Sequence, residues 1–173
     1  SDILKVKTES RMRRDNSEDA VVWNIFRTLE KNGKISSLVS FLQYELVKDI
    51  HVIYWSHFRD GRVWEYLTTA RNWFGETKFG TEPDLILYSP RGNWLLFLEA
   101  KLGSKVLQKF RYAGADYSRR KEKYGNNALF KQVFKEPYTF ESIAVEGRHY
   151  ELLRQWLLGN WLAGKLDAKF HQI

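Results

Sequence analysis

Two acidic residues and a lysine stand at the ends of the two most apolar runs of this 173-residue chain. Asp84 opens the run Asp84-Leu85-Ile86-Leu87-Tyr88, and Glu99 and Lys101 close the run from Trp94 to Lys101. Between them, Pro90-Arg91-Gly92-Asn93 is turn chemistry, so a β-hairpin is the economical reading. With the turn at 90–93, Ser89 faces Trp94 and Tyr88 faces Leu95; continuing that register sets Asp84 directly opposite Glu99. Opposed residues of an antiparallel pair hold their Cβ atoms about 5 Å apart, and strand alternation puts Lys101 on the face of Glu99. Two facing carboxylates repel each other. A hard divalent cation such as Mg²⁺, or Mn²⁺ in its place, answers that repulsion through carboxylate oxygens. Lys101 then stands where it can orient a water or help to deprotonate it. This is the equipment of metal-assisted hydrolysis. Its bland counterpart is a hairpin whose polar ends form a surface salt bridge, which gives no reason for two acids to face each other beside an apolar run.

The pattern Pro83-Asp84, followed fifteen positions after the aspartate by Glu99-Ala100-Lys101, resembles the PD-(D/E)XK nuclease superfamily. Acid-x-lysine triplets also start at Glu76 and Asp167, but only that of Glu99 follows a Pro-Asp and ends an apolar strand. The specific motif lies in residues 83–101, while the resemblance in element order extends over 16–173. It implies an α/β domain with a restriction-endonuclease-like core: a small mixed central sheet flanked by helices, in the order helix, three strands, helix, fourth strand. It also implies Mg²⁺-dependent hydrolysis of nucleic-acid phosphodiesters, DNA rather than RNA, by in-line attack leaving a 5′-phosphate. Asp84 and Glu99 would be metal ligands, the carbonyl of Ala100 a further ligand, and Lys101 the lysine of the active site. In many members a glutamate of the first core helix reaches toward the metal. Glu18 is the candidate for that role, because it lies four before Val22 and seven before Ile25, on an apolar stripe where a carboxylate is out of place. An acid near a helix N-terminus is also favoured by the helix dipole alone. Glu82 is a weaker candidate, preceding a proline at a strand edge. Gln108 and Tyr112 have the Gln-x-x-x-Tyr spacing of RecB-like members, with a shorter gap after the lysine than that branch has. Substrate contact and plain helix-surface polarity are both open to them.

The elements that must position these residues follow from periodicity and punctuation. Asn16 caps a helix with Asp19 at its third position and Val22, Ile25, Phe26 and Leu29 at helical spacing, ended by Asn32-Gly33. Ile35 to Val47 is a second helical stretch, His51 to Trp55 a short strand, and Val63 to Phe74 more helix-like than strand-like. Val106 to Tyr124 is a basic amphipathic helix, interrupted at Gly125-Asn126-Asn127. Its cations include Lys105, Lys109 and Arg111, then Arg119, Arg120, Lys121 and Lys123, a set that can track a phosphate backbone or simply face water. A last helix runs from about Arg148 to Ala163. Lys169 to Ile173 opens a strand on which the chain stops, as a fragment would. Residues 1–15 read as a basic arm around Arg11-Met12-Arg13-Arg14.

Composition agrees with an anionic partner. Lys and Arg total 28 against 21 Asp and Glu, a net charge of +7, and aromatic residues reach 16%. Composition alone fits a nucleic-acid partner and a plain domain with a basic surface over an aromatic-rich core equally well; together with the motif, nucleic acid is the expected partner. The absence of Cys excludes disulfides, thiolate metal sites and cysteine nucleophiles, and the four His show no ligand spacing. No apolar stretch approaches the ~18 residues of a membrane span, and the polar, basic start is unlike a leader, so a cytoplasmic protein is expected. Gly159 to Lys165 reads G-x-x-x-x-G-K, but Leu166 follows where a phosphate-binding loop needs Ser or Thr, and the match falls inside a helical pattern. Two other classes remain. One is a non-catalytic basic nucleic-acid-binding module; the other is an interaction domain of a larger protein. The oligomeric state is open, a dimer included.

Overall fold

The computed structural model describes residues 18–42, 49–76, 80–101 and 115–173. The basic arm, the Asn16 cap, residues 43–47 of the expected 35–47 helix and residues 106–114 of the expected 106–124 helix lie outside those residues.

Helix α1 (Glu18–Lys31) carries Glu18 and Asp19 in its first turn and Lys31 in its last, the polarity that its dipole favours, and buries Val22 and Phe26. Gly33, at φ 64, turns the chain into α2 (Ile35–Phe41), which buries Ile35 and Val39. Strands β1 (His51–Tyr54), β2 (Leu85–Ser89), β3 (Trp94–Leu98) and β4 (Lys169–Gln172) form one sheet in the order β1-β2-β3-β4. The first two pairings are antiparallel and β3 pairs β4 in parallel, so the sheet is mixed. A parallel neighbour needs a crossover, and α6 (Tyr150–Leu166) supplies it.

The β2–β3 register runs from Ser89 opposite Trp94 to Leu85 opposite Leu98, in agreement with the pairing read from the turn. Both strands stop one residue short of the acids. Asp84, Glu99 and Lys101 therefore project past the paired ends instead of lying within the strands, as the expected strand bounds had it.

Alternation sorts the sheet into two cores. Tyr54, Leu85, Leu87, Trp94 and Leu96 pack with Val22, Phe26, Ile35 and Val39 on the side of α1 and α2. Ile53, Ile86, Leu95 and Phe97 pack on the other side with α3 (Glu65–Trp73) and α6. That side also receives α4 (Ala115–Arg120), which continues into a π-helical turn at Lys121–Gly125, then α5 (Ala128–Val133) and a second π-helical turn at Glu141–Glu146. Gly159 has a packing reason: a Cβ there would come within 2.1 Å of the Phe170 ring, so glycine lets β4 lie against α6.

The approach to β2 is braced from below. Glu76 is buried at 6% exposure and accepts from the Thr81 backbone amide, the Thr81 hydroxyl (2.6 Å) and the Tyr124 hydroxyl (2.5 Å), with Arg154 at 3.5 Å. These contacts tie the end of α3, the segment leading to Asp84, the first π-helical turn and α6 together. The acid-x-lysine triplet at Glu76 thus begins with a structural acid. Among the described residues no helix is long and apolar enough to cross a membrane.

Candidate active site

The site lies where β2 and β3 run out. Asp84, just ahead of β2, accepts a 2.8 Å hydrogen bond from the backbone amide of Ala100, just past β3, which fixes the carboxylate across the hairpin. Glu99 accepts from the Lys101 ammonium at 2.5 Å through Oε1 and from Gln155 of α6 at 2.7 Å through Oε2. Gln155 in turn accepts at 2.8 Å from Gln172 of β4. The Glu99 amide donates to the Ile173 carbonyl at 3.0 Å, so the parallel pairing extends to the site itself. Lys101 also has Glu18 of α1 and Glu151 of α6 each at 3.9 Å. The four sequence candidates Asp84, Glu99, Lys101 and Glu18 come together, drawn from the hairpin and from a helix on one side. Glu151 and Gln155 join them from the helix on the other side.

Electrostatics sharpen this picture. Burial, followed by the charge of Glu99, pushes the Asp84 carboxyl up to about 7, against the lowering effect of the Ala100 amide and of Lys101. At Lys101 burial works downward, but the hydrogen bond and charge of Glu99, with Glu151 and Glu18 behind it, hold the ammonium above its ordinary range. A group so held is a donor and a positive charge, not a base. Of the two roles that spacing left to Lys101, orienting water suits this state and taking a proton does not.

The donor set suits a hard cation. Asp84 and Glu99 offer carboxylate oxygens, and the raised Asp84 reflects first its burial and then the charge of Glu99 beside it. Among the described residues no group of three or more His, Asp or Glu side chains forms a ready cage. Mg²⁺ ordinarily takes one or two carboxylates and completes its shell with water and substrate phosphate, so two carboxylates are a sufficient protein contribution.

Other expectations divide. Glu82 accepts from Ser56 at 3.1 Å and lies 3.7 Å from Arg71, an environment separate from the carboxylate pair. Asp167 takes the left-handed position that ends α6, so its triplet is a helix stop. Lys105, Gln108, Lys109, Arg111 and Tyr112 lie outside the described residues. Gln155 was missed. Its sequence signal was helical spacing from Leu152, Leu158 and Gly159, which sets an amide on the apolar face; in the structure it is 3% exposed, where an amide needs a polar partner.

A cavity of about 190 Å³ opens beside Glu99 and Lys101, lined also by Arg148, His149 and Glu151 among others. No family model, no curated protein and no solved structure matches the chain.

Proposed function

We propose that this chain is a metal-dependent nuclease with a restriction-endonuclease-like core, hydrolysing phosphodiester bonds of nucleic acid, DNA in preference to RNA. One observation carries the reading: Asp84 and Glu99 extend a β-hairpin in opposed register, and burial with mutual repulsion drives Asp84 to about 7. Carboxylates under that degree of conflict gather at functional sites, where a ligand resolves the conflict. A helix ahead of β1, a further helix between β1 and the β2–β3 hairpin, helices between β3 and a parallel β4, and the net charge of +7 are compatible with the same reading.

Each side chain then has a task. Asp84 and Glu99, with the Ala100 carbonyl, would hold Mg²⁺, which supplies Lewis acidity toward a phosphoryl oxygen and makes a bound water more acidic. The Ala100 amide fixes the Asp84 carboxylate, and Gln155, itself held by Gln172, fixes that of Glu99. The Lys101 ammonium orients the attacking water by donation and offsets charge that builds on the phosphoryl oxygens. Glu18, within reach of Lys101, adds a carboxylate from the first helix.

The test is a plasmid-nicking assay in Mg²⁺ and in EDTA, with Mn²⁺ calorimetry on wild type, Asp84→Asn and Lys101→Ala. Expected are nicking and metal binding in wild type, loss of both in Asp84→Asn, and loss of nicking alone in Lys101→Ala. Absence of metal binding in wild type overturns the reading. The Lys101–Glu99 ion pair at 2.5 Å favours a second reading, in which the lysine merely neutralises the acid and the domain only binds nucleic acid. It predicts affinity indifferent to Mg²⁺.

A further inference from the structure

We infer that Arg148 binds a backbone phosphate of the nucleic acid at the mouth of the cavity beside Glu99 and Lys101; this rests on the nuclease reading above. Three observations meet at this residue. Arg148 and His149 line the same cavity of about 190 Å³ as Glu99, Lys101 and Glu151, so a group bound there sits next to Glu99 and Lys101. The Arg148 side chain has no hydrogen bond or ion pair among the described residues, whereas Lys101 is already engaged by three carboxylates. A phosphodiester entering a pocket lined by Glu99 and Glu151 needs a cation that is not so engaged, and a guanidinium offers the fork of donors that fits phosphate oxygens.

The third observation is the backbone. Arg148 has φ 55, the left-handed position that ends the π-helical turn Glu141–Glu146, where glycine is ordinarily found. The chain does have a glycine in this turn, but one residue earlier. Gly147 sits at φ -71, and a Cβ on it would come within 2.9 Å of the Ile143 carbonyl. Close approach accounts for Gly147. A left-handed backbone beneath a long, exposed cation that lines a cavity is the kind of position where strain is kept for function.

That strain also supplies a clean variant. Arg148→Gly removes the guanidinium and suits φ 55, so the melting temperature should hold or rise and misfolding is separated from loss of contact. Affinity for a fluorescent DNA duplex is measured by anisotropy in Ca²⁺ over a range of salt concentrations. The expected result is weaker binding to every sequence alike. The slope of log K against log salt should fall in magnitude by about 0.9, one phosphate, and Arg148→Lys should restore it. An unchanged slope in Arg148→Gly overturns the inference, as does absence of binding by wild type. A changed slope in a protein that does not nick DNA in Mg²⁺ leaves the phosphate contact standing and removes the nuclease reading. Nicking with an unchanged slope does the reverse.

Discussion

Asp84 is a carboxyl group with opposed influences on its proton. Burial and Glu99 hold the proton on, while the Ala100 amide and Lys101 draw it off, and the balance lies at about 7 against an ordinary 3.8. Between those values the unfolded chain has released the proton and the folded chain has kept it. The contribution of this group to stability is therefore complete below pH 3.8, falls as the pH rises, and is lost above about 7. In EDTA, Asp84→Asn keeps an oxygen for the Ala100 amide and sheds the charge. It should melt higher than wild type at pH 8, with the difference shrinking toward pH 4. A series of thermal melts reads this directly. The salt-bridge account predicts the opposite sign, because a carboxylate stabilised by Lys101 would be missed most at pH 8. Asp84 thus costs stability at neutral pH, a cost that the cation of the proposed function would answer, and the amide chain from Gln172 through Gln155 holds the Glu99 carboxylate in place.

The contact of α6 with β4 decides whether that amide chain exists, since Gln155 and Gln172 lie on these two elements. Gly159 is its narrowest point. Gly159→Ala would drive a Cβ to within 2.1 Å of the Phe170 ring, and overpacking of this kind costs about 1–3 kcal/mol, to be read from urea denaturation. In a Phe170→Ala background the same substitution should turn stabilising by about 1 kcal/mol, because alanine is the better helix residue once the ring is gone. A cost unchanged by Phe170→Ala would locate the clash elsewhere. Such contacts mark the limit of what a sequence discloses. The hairpin was legible because Pro90-Arg91-Gly92-Asn93 fixes the register, and one correct register carries Asp84 to Glu99. Helix α1 was legible because its apolar spacing repeats over fourteen residues. The stretch 126–147 was not, since α5 and the π-helical turn at Glu141–Glu146 have six residues each, too few to show a period. Arg148 was read as the start of a helix, whereas its left-handed backbone ends the element before it, and no side-chain pattern encodes that.

Across the whole molecule the charges oppose one another. The chain carries +7, yet the described site gathers Asp84, Glu99, Glu18 and Glu151 around Lys101. On the proposed nuclease reading, a polyanion would be attracted to the protein at long range and repelled at the carboxylates, unless a cation lies between the two. The site takes carboxylates from both helical layers and from the strand ends, so this repulsion is a property of the assembled fold and not of one motif. Affinity for DNA should therefore depend on the metal and on Asp84 together. In EDTA at pH 8, Asp84→Asn should bind a duplex more tightly than wild type. The gain is about fourfold or more, since one unit charge at about 5 Å in a water-like dielectric contributes about 0.8 kcal/mol. Ca²⁺ should tighten wild-type binding and leave Asp84→Asn nearly unchanged, and both effects should shrink as salt screens the charges. Anisotropy titrations of the two proteins, with and without Ca²⁺, give all four affinities. Equal affinities in EDTA would mean that the nucleic acid does not lie over the carboxylates, and the basic surface would then be a binding face apart from this site.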